Sequence, residues 1–121
     1  MGFLNDLKLS KKYKKGIKEA MGGNFNEALN LFDDVFLHAN DLKLQNENLI
    51  WYHICKALHY AKNGDFISGK KEYNEYLSVT KSYIEICNLT PGFGTETRVN
   101  VWKNQIKEFL LLYNKQIDLL K

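Results

Sequence analysis

Displacing the chain by 41 residues lays one part of it on another: Ile17 falls on Leu58, Ala20 on Ala61, Gly23 on Gly64 and Asn24 on Asp65. The match continues with Phe25 on Phe66, Ala28 on Gly69, Phe32 on Tyr73 and Phe36 on Leu77. Small residues pair with small ones and large with large. A unit of this length cannot bury its apolar face alone, so a chain that repeats it must stack neighbouring units around one continuous core. The small positions mark places where two helices cross closely, with a ring beside each to close the wedge.

Within each unit the apolar residues recur at helical spacing. Tyr13, Ile17, Ala20 and Met21 form one stripe, and Ala28, Leu29, Phe32, Val35, Phe36 and Ala39 form a second after Gly22-Gly23-Asn24. Ile50, Ile54, Ala57, Leu58 and Ala61 make a third, which Asn63-Gly64 ends with a left-handed cap. Asp65 then caps a fourth, running through Phe66, Gly69, Tyr73, Tyr76, Leu77, Thr80, Tyr83, Ile84 and Cys87 to Thr90-Pro91-Gly92. After a loop, a fifth carries Val99, Trp102, Ile106, Phe109, Leu110, Tyr113, Ile117 and Leu120. No segment alternates with period two. The expected elements are helices at about 8–22, 25–43, 47–62, 65–88 and 97–120, in one all-α domain over 1–121.

Composition narrows the class of function. A chain that is 45% hydrophobic and 26% charged folds. Cys55 and Cys87 show neither CxxC spacing nor a disulfide framework, and the N-terminus lacks the apolar run of a signal peptide, so a cytoplasmic protein is expected. The net charge of +3 conceals segregation: six lysines against two acids over residues 1–23, then five acids against Lys43 over 24–48. Lys8, Lys11, Lys12, Lys14, Lys15 and Lys18 fall on one side of the first helix, opposite its apolar stripe. That side has no Arg and no interleaved aromatic, which reads first as a solvated outer face.

The phrases GNFNEALNLF (23–32) and GDFISGKKEY (64–73), with Gly16 and Ala57 before them, resemble the tetratricopeptide repeat (TPR) family over residues 10 to 85. Two departures stand out. Lys12 and His53 occupy the place where the family often has Trp, and the period is seven residues longer than usual. The resemblance implies antiparallel hairpins stacked as a TPR-like array, two elongated repeats with the fifth helix as a C-terminal cap; a HEAT-like helical array, whose period lies nearer 41, is the alternative fold. It also implies a concave groove, lined here by Tyr13, Ile17, Met21, Trp51, Ile54, Leu58 and Lys62 and continued by Lys103, Ile106 and Leu110, although Ile17, Ile54 and Leu58 serve equally well as core. Val101, Leu112 and Leu119 broaden the apolar stripe of the last helix and are candidates for self-association, as in a homodimer.

Chemistry is sparsely provided for. Cys55 and His59 share a helical face near His53 but lack further metal ligands, and Gly92-Phe93-Gly94 lacks the third glycine of a dinucleotide loop. The expectation is a module without catalysis, cofactor or metal that binds a peptide or helix of a protein partner, as adaptor or chaperone, with no nucleic acid and no membrane. The alternative is an adaptor for nucleic acid or an anionic membrane through the lysine-rich face.

Overall fold

The computed structural model describes residues 2–89, 92 and 94–121, with the backbone alone for 2–6, and every regular element in it is a helix. α1 is Gly2–Met21, α2 Phe25–His38, α3 Leu42–Lys62, α4 Phe66–Leu89, α5 Thr95–Leu112 and α6 Asn114–Asp118. α1 packs on α2, α2 on α3 and α3 on α4.

The internal repeat is visible in the backbone. Gly23 and Gly64 hold φ of 83° and 82°, a left-handed conformation costly for any residue with a Cβ. After the first, Asn24 N–H donates to Glu19 O at 2.9 Å; after the second, Asp65 N–H donates to Tyr60 O at 2.9 Å. These matching six-to-one closures satisfy the last carbonyls of α1 and α3 and turn the chain into α2 and α4. Asp65 also accepts from Ser68 N–H at 3.1 Å, the cap expected of it.

Four boundaries differ from expectation, and α1 supplies the first by starting at Gly2 instead of near 8. α2 stops at His38 because Ala39 is extended, with ψ of 134°, and Asp41 starts α3 by accepting from Lys43 N–H. α3 is therefore one turn longer at its start than the apolar pattern indicates. The helix expected over 97–120 breaks at Tyr113, whose φ of −118° leaves the helical range. The short α6 beyond it turns Ile117 and Leu120 into the interior.

The core is organised around rings from four helices. Tyr13 lies against Phe32, Phe32 stacks on Trp51 at 6.1 Å, and Trp51 meets the edge of Phe109 at 5.2 Å. Phe109 neighbours Tyr113, which returns to Phe25 at the start of α2. Asn48, fully buried on α3, donates its amide to the Phe32 carbonyl and so fixes α2 against α3 by a polar bond inside this apolar layer.

α5 rests across the other helices. At its start Arg98 reaches Asp41 and Glu47, and Trp102 lies on Tyr83 of α4 at 4.9 Å. At its end the Tyr113 hydroxyl lies 3.2 Å from the Ala20 carbonyl and 3.0 Å from that of Met21, the last turn of α1.

Candidate functional site

The residues expected to line a groove divide into two groups. Trp51, Ile54 and Leu58 are sealed, at most 1% exposed, and Ile17 is buried beside them. The first three are core, not groove, and Ile17 lies where the core meets an open cleft. The side they form is occupied by the chain itself, since Phe109 and Tyr113 belong to the same ring sequence that encloses Trp51. Tyr13 and Met21 are partly buried against that core, and Lys62 is exposed at the far end of α3. Val101, Leu112 and Leu119 are all more than half exposed.

Among the open hollows are a cleft of about 800 Å³ between α1, the α2–α3 corner and α5, and smaller ones that take in Lys62 and, along α5, Lys103, Ile106 and Leu110. The Tyr113 hydroxyl closes α5 onto the end of α1, and nearer the start of both helices the cleft stands open. Its apolar lining comes from Tyr13, Ile17, Ala39, Leu44 and Val101, its polar rim from Ser10, Lys14, Asn40 and Gln105. Tyr13 and Ile17 from the expected groove thus meet Val101 from the expected self-association patch; Met21, Trp51, Ile54, Leu58, Lys62, Leu112 and Leu119 line none of it.

Three charged groups at one end of the cleft hold its walls in place. Arg98 donates from Nε to Glu47 Oε2 at 2.6 Å and from Nη1 to Asp41 Oδ2 at 3.0 Å, and its Nη2 also pairs with Glu47. The Glu47 side chain is nearly enclosed. Burial pushes its carboxyl up, and the Arg98 guanidinium pulls the other way. Burial likewise opposes the charge on Arg98, but the two carboxylates outweigh it and hold the guanidinium protonated above its ordinary range. Burial, reinforced by the Glu47 charge, raises the Tyr13 hydroxyl well above a free tyrosine. The cleft therefore offers an apolar wall beside a fixed ion cluster, two carboxylates on one guanidinium, rather than a free acid or base.

Sequence reasoning missed this cluster although its signal was present. Glu47 stands three residues before Ile50 and seven before Ile54, on the buried stripe of α3, and Arg98 is the only arginine in the chain. A carboxylate on an apolar stripe calls for a partner, and a planar guanidinium matches it better than an ammonium.

The residues considered for catalysis are dispersed. Cys55 is fully buried and desolvation raises its thiol, so it lacks the thiolate a nucleophile needs. His53 pairs with Glu72 at 2.7 Å, whereas His59 faces Asn63. Asp34 is taken by Lys12 and His38, and the Lys12 contact is the main reason its carboxyl sits below the usual range. Among the described residues no three His, Cys, Asp or Glu side chains gather as metal ligands, and no helix is long and apolar enough to cross a membrane. Compared with family models, curated proteins and solved structures, the chain matches none.

Proposed function

We propose that this chain is a non-catalytic protein–protein interaction module built as a TPR-like pair of hairpins, with a segment of a partner protein seated in the cleft between α1 and α5. α1 with α2 and α3 with α4 are the two hairpins. α1 and α3 stand where the family's inner, groove-lining helices stand, and α5 with α6 is the cap, folded over that inner side. The identical six-to-one closures at Gly23 and Gly64 support the hairpin reading.

The observation that carries the function is the open cleft itself. Tyr13, Leu44 and Val101 give it an apolar wall, Glu47, Arg98 and Asp41 keep its far end rigid, and Ser10, Asn40 and Gln105 supply hydrogen-bonding groups at the rim. Apolar anchors within a polar rim are what protein recognition surfaces use. A rigid ion cluster keeps the site formed before the partner arrives, which lowers the ordering cost of binding.

Selection of a displayed peptide library against the intact chain tests this. Peptides recovered on the wild type should lose binding to Val101→Glu and to Leu44→Glu, with both variants unchanged in circular dichroism. Peptides that bind all three chains equally place recognition elsewhere and defeat the proposal. Trp51 is unsuitable for such a test, because its removal empties the core.

A further inference from the structure

Along most of the outer face of α1 the positive charge enters no ion pair among the described residues, although Glu19 and Glu27 share a hollow with Lys15. Lys8, Lys11, Lys14, Lys15 and Lys18 are exposed, and among the described residues none of them enters an ion pair; Lys12, held by Asp34, is the exception on that helix. The opposite side of the helix, with Leu9, Gly16, Ile17 and Ala20, is buried. From Lys8 to Lys18 the five ammonium groups spread over about 15 Å of helix at ~1.5 Å per residue. Leu7, 44% exposed, adjoins them at the N-terminal end.

We propose that this face of α1 docks on an anionic lipid surface, with the lysines over the headgroups and Leu7 entering the interfacial layer. Charge complementarity carries the assignment, and the kind of charge selects the partner. Lysine is a compact point charge that responds to a diffuse negative field, which a bilayer rich in acidic lipid supplies. A nucleic acid would call for guanidinium forks on phosphates, rings for stacking, or a groove to follow the backbone. This face has none of these: the sole arginine is engaged in the cleft, Tyr13 faces the core, and α1 presents a convex surface. An exposed leucine beside the charges suits insertion at an interface and gives nothing to phosphate recognition.

The strength follows from the count. Each lysine at such a surface contributes a factor of about five in partitioning, the equivalent of about 1 kcal/mol. Attachment is then reversible and sensitive to salt, because the field decays within a Debye length of about 8 Å at physiological ionic strength. The inference is independent of the cleft, since Lys8, Lys11, Lys15 and Lys18 do not line it.

Co-sedimentation of the full chain with vesicles tests the inference, comparing phosphatidylcholine alone with phosphatidylcholine containing phosphatidylserine. Binding should appear with the acidic lipid and disappear in high salt. Changing Lys8, Lys11 and Lys15 to Gln should weaken it by about 100-fold, from three factors of about five, with helicity unchanged. Changing them to Glu should weaken it further, and Leu7→Ser should weaken it several-fold without altering the salt dependence. Absence of binding, equal binding to neutral vesicles, or an unaffected Gln variant overturns the proposal. So does a short single-stranded oligonucleotide that binds more tightly than the vesicles at the same salt.

Discussion

Replacing a helical glycine by alanine ordinarily stabilises a protein by about 1 kcal/mol, and Gly16→Ala is expected to do the opposite. A Cβ built on Gly16 stands 2.6 Å, 2.9 Å and 3.0 Å from Cε1, Cδ1 and Cζ of Phe32. That ring is fully buried between Tyr13 and Trp51 and has no room to retreat. Overpacking of a rigid site costs about 1 to 3 kcal/mol, and a clash this short belongs at the upper end. Subtracting the propensity gain leaves a net loss of about 2 kcal/mol, read as a lowered midpoint in urea at unchanged slope. The decisive measurement is the double-mutant cycle. In a Phe32→Leu background the methyl group finds space, so Gly16→Ala should turn stabilising. The glycine at 69 provides a contrast. There the Cβ would meet Leu120 Cδ2 at 2.8 Å, the movable tip of a side chain near the chain end, although Ala57 O at 3.2 Å yields less easily. Gly69→Ala should therefore stay within about 1 kcal/mol of neutral. A raised midpoint for Gly16→Ala in the wild type would refute the argument that Phe32 closes on that glycine.

Other outcomes are open to direct measurement. Arg98→Ala leaves the Glu47 carboxylate buried and unpaired, at a cost of about 3 kcal/mol. Adding Glu47→Gln should restore much of that in thermal melts, and a restoration of zero would show that the ion cluster is not what Arg98 contributes. Because burial raises the folded-state pKa of Glu47 above its ordinary 4.5, the folded chain binds that proton more tightly than the unfolded one. Its contribution is full below pH 4.5 and declines as pH rises through the folded-state value. The stability of wild type relative to Glu47→Gln should thus fall with rising pH in this window, and a rise would contradict it. If two copies associate through the exposed Leu112 and Leu119, Leu112→Glu should convert a concentration-dependent dimer to monomer in sedimentation equilibrium. A wild type that stays monomeric throughout eliminates the contact.

The helical periodicity and the 41-residue repeat made the all-α architecture legible because both are local. Most of each stripe lies within one helix, and the turns after α1 and α3 are announced by their own Gly-Asn and Gly-Asp pairs. Tyr113 was harder to read. Its apolar spacing continues that of Phe109, and only the hydroxyl contact to Met21, 92 residues away, reveals why the backbone departs from the helix there. The groove went wrong for a related reason. Trp51, Ile54 and Leu58 lie on the correct side of α3, but whether a side is open depends on where α5 comes to rest, and no local signal encodes that. Val101 and Tyr13 were selected on separate grounds, and their sharing one cleft is a tertiary fact. Glu47 and Arg98 are the exception: a charge on an apolar stripe and a unique arginine together point to their pairing from the sequence alone.

The cap on Trp51 is supplied by a part of the chain synthesised after both hairpins, and this has a consequence for the protein's birth. The contacts within the α1–α2 and α3–α4 hairpins are short in sequence, so these hairpins can form as they emerge, whereas Phe109 and Tyr113 reach Trp51 and α1 only after both have been made. At about 5 to 20 residues per second, the stretch after Leu89 takes a few seconds to make. For that interval a newborn chain holds a tryptophan and its aliphatic neighbours uncovered on the side that α5 will fill. Each molecule thus passes once through a form in which its interior is a sticky surface, and a premature stop within α5 would leave it there.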